Sequence, residues 1–166
     1  MIFAIAALDQ DRGIATDDGI PWKLPSDQAY FRDKTAGASI VMGYRMYQEL
    51  KEPLPDRRNI VMIRPGTSLR PGFEGVEDVD GLIRLYKDSP ETLWIVGGAS
   101  VYEMLLPYTQ KLYLTRIQAG FACTKIFPAF EDRFELLRQS GAQQENGLKF
   151  CYEIWGSQPV LKQNQV

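Results

Sequence analysis

The chain has 166 residues, 45% of them hydrophobic, which is enough for one domain with a sizeable core and too few for two. A formal net charge of -2, with no run of Lys or Arg, argues against a nucleic-acid or membrane-surface partner. There is no histidine, and the two cysteines, Cys123 and Cys151, have no metal-ligand spacing. An imidazole base and a conventional metal site are therefore excluded, and acid–base work falls to carboxylates, tyrosines or bound water. Nothing suggests a disulfide framework, so a monomer in a reducing cytoplasm is the expected setting.

Residues 2–8, Ile-Phe-Ala-Ile-Ala-Ala-Leu, are a continuous apolar run expected as a strand buried on both faces. The run is short and has no basic segment before it, so it does not read as a signal peptide. Residues 9–24 turn to Asp, Gly, Thr and Pro, a loop longer than connection requires and therefore a candidate lid. Pro25 suits the first turn of a helix, where its missing N–H has no partner to lose. Asp27 falls in that turn. Tyr30 and Phe31 lie one turn on, and Trp22 and Leu24 arrive from the loop, so the Asp27 carboxylate is expected to be largely dry and to hold its proton tightly. Such a group can accept paired hydrogen bonds from the amidine-like edge of a heterocycle and assist proton delivery to it. The helix dipole alone also favours an acid there, and taken by itself Asp27 is more often structural.

Ser39-Ile40-Val41-Met42-Gly43 reads as a second buried strand, with a short helix over 44–50 behind it. A strand, a glycine and a helix start present free N–H groups to an anion, and Arg45 adds charge. The Pro-rich turn over 53–59 stiffens Arg57, whose planar guanidinium suits bidentate capture of a carboxylate. A strand over 60–63 follows and ends at Arg64. Residues 65–75 read as a loop, and Asp80 as the cap of a helix running to Lys87. A strand over 92–96 meets Gly97-Gly98 and a helix continuing through Leu106. The paired glycines let backbone approach a pyrophosphate closely, but the spacing is not that of the Rossmann fingerprint. A strand over 111–117 carries Thr115, and segments 133–139 and 148–155 read as a closing antiparallel hairpin. The expected architecture is a three-layer α/β domain over 1–157, with a mixed, mostly parallel sheet, helices on both faces and a polar tail over 158–166.

Ala6-Ala7, Arg12-Gly13-Ile14 and Pro21-Trp22-Lys23-Leu24-Pro25 together resemble the opening of the dihydrofolate reductases, and the resemblance runs through nearly the whole chain. It implies NADPH-dependent reduction of 7,8-dihydrofolate to 5,6,7,8-tetrahydrofolate, with hydride to C6 and a proton to N5. It also implies a place in one-carbon metabolism and antifolates as candidate inhibitors. In this likeness Asp27 is the pterin-binding carboxylate, with Trp22 and Thr115 as its partners. Ile5, Ala6, Phe31, Leu50, Leu54, Val96 and Tyr102 wall the substrate, and Arg57 with Arg32 holds its glutamate tail. The cofactor falls to Ala7, Ile14, Ala15, Gly19 and Ile20 from the loop, and to Gly43, Tyr44, Arg45 and Met46 at the first helix start. Ile63 also falls to the cofactor, Arg64 to its 2′-phosphate, and Gly97, Gly98, Ala99, Ser100, Val101 and Tyr102 form the glycine turn, which in the family often holds a cis peptide.

Two departures stand out. Ala15 occupies a position where the family usually carries Gly, which restricts the loop backbone. Met46 replaces a residue expected near nicotinamide, and packing in the core explains it as well as cofactor contact does. Two other readings compete: a riboflavin-pathway reductase of the same fold, and a catalytically silent nucleotide-binding module. The Pro-Trp-x-Leu-Pro segment with Asp27, and Arg57 on its turn, speak against the first. Retained NADPH binding without turnover would identify the second.

Overall fold

The computed structural model of the chain describes residues 1–159. The apolar runs form the strands of one nine-stranded sheet. In chain order these are β1 (Ile2–Leu8), β3 (Ser39–Gly43), β4 (Arg58–Met62), β5 (Phe73–Val76), β6 (Leu93–Gly97), β7 (Lys111–Ile117), β9 (Phe134–Gln139), β10 (Gln143–Glu145) and β11 (Leu148–Ser157). Two short strands, β2 (Gly13–Ala15) and β8 (Lys125–Ile126), make a separate antiparallel pair. The helices are α1 (Pro25–Thr35), α2 (Tyr44–Glu49), α3 (Val79–Lys87) and α4 (Ala99–Leu105). The main sheet runs β10-β11-β7-β1-β6-β3-β4-β5, with β9 also on β11. Every pairing from β7 to β5 is parallel, and β11 is antiparallel to β7, β9 and β10.

The apolar runs are continuous because the sheet is covered on both faces. Along β1, Ile2, Ala4 and Leu8 pack with Leu82, Ile83 and Tyr86 of α3 and with Val101 and Leu105 of α4. Phe3 and Ile5 point the other way and pack with Tyr30 and Phe31 of α1 and Tyr47 of α2. Period-two alternation thus divides one strand between two cores.

Three local expectations need correction. Asp78, not Asp80, caps α3: its side chain accepts the Gly81 N–H at 2.8 Å, while Asp80 lies inside the first turn, where the dipole favours it. The loop expected over 65–75 ends in β5, none of whose four residues is fully buried because it is an edge of the sheet. The terminal hairpin is β10–β11, closed at Asn146-Gly147 with φ of 50° and 75°, the left-handed pair that suits an Asn-Gly turn. The expected 133–139 segment is β9, which pairs with the far half of β11. From residue 160 onward, the tail expected over 158–166 lies outside the described residues. No helix among the described residues is long and apolar enough to cross a membrane.

Candidate active site

The parallel strands β1, β3 and β6 deliver their carboxyl ends to one side of the sheet, where open α/β folds place ligands. A cavity of about 760 Å³ opens there. Ile5, Ala6 and Ala7 of β1 form its floor, Gly43 and Val96 to Gly98 its back, and α1 and the 9–24 loop its front.

Asp27 sits in the first turn of α1, with Pro25 at the helix start as expected. The Thr115 hydroxyl, buried on β7, donates to Asp27 Oδ1 at 2.5 Å. Burial raises the Asp27 pKa above the ordinary carboxylate value; the Thr115 hydrogen bond opposes the shift, and the charge of Glu145 adds to it. Trp22 closes the loop side of the cavity and packs edge-on against Phe121, with centroids 5.3 Å apart. Opposite, Tyr102 is buried on α4 and its hydroxyl donates to the Ile5 carbonyl at 2.7 Å, tying α4 to β1 beneath the cavity.

The loop in front is held by a buried carboxylate. Asp9 Oδ1 accepts the N–H groups of Asp11 at 2.8 Å and Gly13 at 2.7 Å, and Oδ2 accepts that of Phe121 at 3.1 Å. Burial would raise its pKa, but the N–H donors of Gly13, Asp11 and Phe121 and the Cys123 thiol together bring it below the ordinary value. Gly13 is required at this clamp, because a Cβ there would lie 2.5 Å from Cys123 Cβ.

On the far wall, the Pro-rich turn carries Arg57 into the cavity. Asn59 stiffens the turn: its Oδ1 accepts the Leu54 N–H at 2.9 Å, and its Nδ2 donates to the carbonyls of Leu54 and Arg57. The guanidinium lies 5.7 Å from the centre of the Phe31 ring, and its Nε is buried without a hydrogen-bond partner. Burial lowers the Arg57 pKa; Asp56 opposes this and Arg32 reinforces it. A buried cationic donor with nothing to donate to is suited to an incoming carboxylate.

At the back, the Gly97–Gly98 peptide is cis, and Gly97 has φ of 125°, which only glycine adopts freely. A Cβ on Gly97 would lie 3.5 Å from Met46 Sδ and from the Tyr102 ring, while Gly98 faces open space. Helices α2 and α4 both begin on this wall with no side-chain cap, leaving first-turn amides toward the cavity. Bare glycine backbone, uncapped amides and Arg45 fit a phosphate-bearing group.

Of the residues expected at the site, Ile5, Ala6, Ala7, Ile14, Ala15, Gly19, Ile20, Trp22, Asp27, Phe31 and Arg32 line this cavity. So do Gly43, Tyr44, Arg45, Met46, Leu54, Arg57, Val96, Gly97, Gly98, Ala99, Ser100, Tyr102 and Thr115. Four do not. Val101 turns into the core, where its methyl would touch a Cβ on Gly43 at 3.0 Å, and Leu50 and Ile63 pack in the cluster beneath α1 and α2. Arg64 is exposed beyond the cavity rim. Lys125 lines the cavity without having been expected there, its Nζ 3.4 Å from the Thr16 carbonyl. It sits on a two-residue strand in an irregular stretch, where no periodicity could mark it.

The family model for dihydrofolate reductase matches residues 1–156. The chain belongs to the dihydrofolate reductase family. Among curated relatives, the Bacillus subtilis (strain 168) dihydrofolate reductase is 34% identical over 155 residues, covering 93% of this chain and 92% of that protein. The type 3 dihydrofolate reductase of Salmonella typhimurium is 37% identical over 130 residues, 78% of this chain and 80% of its own. A solved dihydrofolate reductase from Enterococcus faecalis, complexed with NADP(H) and RAB-propyl, superposes with a TM-score of 0.87 at 25% identity, covering 96% of this chain and 97% of that one.

Within this dihydrofolate reductase family member, both departures are absorbed locally. Ala15 lies in β2 opposite Lys125 and does not have a positive φ; the positive-φ residues of this loop are Arg12, at 61°, and Gly19, at 107°. The restriction expected of Ala15 therefore costs nothing in this conformation. Met46 packs with the cluster under α2 and also lines the cavity beside Gly97.

Proposed function

We infer that the protein reduces 7,8-dihydrofolate to 5,6,7,8-tetrahydrofolate with NADPH, as one domain over residues 1–157 acting as a monomer in the cytoplasm. The observation that carries this reading is the half-buried Asp27 carboxylate, hydrogen-bonded by Thr115, facing an apolar cavity whose far end holds an unsatisfied arginine. Asp27 binds the amidine-like edge of the pterin and orients it. Burial raises its pKa above the ordinary carboxylate value, which favours its protonated form more than in a free carboxylate, while N5 is protonated by water. Ile5, Ala6, Phe31, Leu54 and Val96 wall the pterin and aryl groups and exclude solvent, and Arg57, flanked by Arg32, takes the glutamate carboxylate.

NADPH, when bound, supplies the hydride that goes to C6 of the pterin. The bare Gly97-Gly98 backbone and the first-turn amides of α4 accept its pyrophosphate, with Arg45 and Tyr44 toward the adenosine end. Ala7, Ile14, Ala15, Gly19 and Ile20 cover the nicotinamide side, where Trp22 helps to close the loop. Thr115 positions Asp27. Antifolates that present a protonated diaminopyrimidine edge compete for the same carboxylate.

With NADPH deuterated at the transferred position, the tetrahydrofolate produced should carry the deuterium at C6. Product without deuterium, or deuterium at another carbon, would overturn the assignment.

A further inference from the structure

A second concavity, of about 300 Å³, lies between α1 and the strands β9 and β11, apart from the large cavity but sharing Tyr30 with it. Its floor is an aromatic pair: the rings of Tyr30 and Tyr152 stack with centroids 4.1 Å apart and planes 23° from parallel. Its rim carries two cations, Lys34 from α1 and Arg138 from β9. Neither makes an ion pair among the described residues. Lys34 Nζ is held only over rings, 5.5 Å from the centre of Tyr30 and 5.6 Å from that of Tyr113.

Glu153, the buried carboxylate of β11, is already committed elsewhere. Glu153 accepts the Trp155 indole N–H at 2.8 Å and the Gln139 amide at 3.3 Å, and lies 3.5 Å from Arg116. It therefore pairs with neither Lys34 nor Arg138; the carboxylate charges that reach Tyr30 and Tyr152 are those of Asp27 and Glu145. The β9–β11 register also shifts here, between Ile154 and Trp155, next to the position where Arg138 pairs. Such irregularities re-aim side chains and recur beside binding sites. Ser140 completes the rim, its hydroxyl accepting the Tyr152 N–H at 2.9 Å and fixing that backbone.

We propose that this concavity is a second ligand site, which takes a small aromatic carboxylate with its anion between Lys34 and Arg138 and its ring against the Tyr30–Tyr152 stack. Two unpaired cations over a flat aromatic floor select charge and planarity together, and the volume suits a ligand of one or two rings. The site does not depend on what the large cavity binds.

The test is isothermal titration of the full chain with 2-naphthoate, together with backbone amide NMR. Saturable binding is expected, with the amides of Ser140 and Tyr152 among those that shift. The Lys34→Glu, Arg138→Glu double variant should weaken it by about tenfold or more, while Arg57→Ala in the large cavity should change it by less than about twofold. Both cations are exposed, and a Lys34→Gln, Arg138→Gln variant provides the same comparison should the charge reversal fail to fold. No saturable binding would overturn the proposal. So would affinity unchanged by either double variant, or affinity lost with Arg57→Ala, which would place the naphthoate in the large cavity.

Discussion

Asp27 is a group the fold tolerates at a cost. Because burial raises its pKa above the unfolded value, its charged form is disfavoured in the native state. The native protein then binds more protons than the unfolded chain between the two pKa values, so this group's contribution to stability falls as pH rises through them. Asp27→Asn should therefore melt no lower than the parent protein at pH 7, and its advantage should vanish on acidification below the unfolded carboxylate pKa. The same variant should lose about a hundredfold or more of its kcat near neutral pH while still binding NADPH. A loss of melting temperature together with full activity would remove Asp27 from its role. Thr115→Val deletes the hydrogen bond that lowers the Asp27 pKa, so the alkaline limb of the pH–rate profile, where Asp27 loses its proton, should move to higher pH. An unmoved profile would make Thr115 a packing residue. At this scale Pro25 was legible as a helix start by residue type, while Asp27 and Arg57 stood out from an ordinary helix-turn acid and surface charge only through the family resemblance. Lys125 did not stand out, because only the folded loop brings it to the cavity.

At the scale of elements, the front loop and the glycine turn carry the site. Asp9 has the opposite sign to Asp27: backbone N–H groups hold its pKa down, so it stabilises above the unfolded pKa and that contribution is lost as pH falls through the folded value. Asp9→Asn should destabilise by about 1–3 kcal/mol at pH 7, as read by denaturant titration, with the gap closing in acid. A neutral effect at pH 7 would mean the clamp is not held by charge. Gly97→Ala forces a side chain into φ of 125° and should cost about 1–3 kcal/mol and weaken NADPH binding, measured by fluorescence titration. Buried strands and the Gly97-Gly98 turn were readable because continuous apolar runs and paired glycines are strong local signals. The β2–β8 pair and edge strand β5 were not: they are short and lie in loop-like sequence, and β2 and β8 exist only through each other, far apart along the chain. The cap of α3 was misplaced by two residues because Asp78 and Asp80 are both plausible until the Gly81 N–H is seen to choose.

For the whole molecule, the sheet order explains why one chain can hold two ligands side by side. Parallel strands β1, β3 and β6 end at one cavity, α4 and the glycine turn occupy one end of it, and α1 with the Arg57 turn occupies the other. The alternation of β1 between two cores fixes both helical layers, so the strand that floors the cavity is also anchored in both cores. That order could not be derived from local pattern, since the pairings join segments apart in sequence; only a mixed, mostly parallel sheet was expected. The most direct test of the central claim is to mix the purified protein with NADPH and dihydrofolate and follow the loss of reduced cofactor by absorbance, with NADH for comparison. Rapid oxidation that requires both ligands and prefers NADPH is the expected result. NADPH binding without oxidation in the presence of dihydrofolate would contradict the reductase assignment.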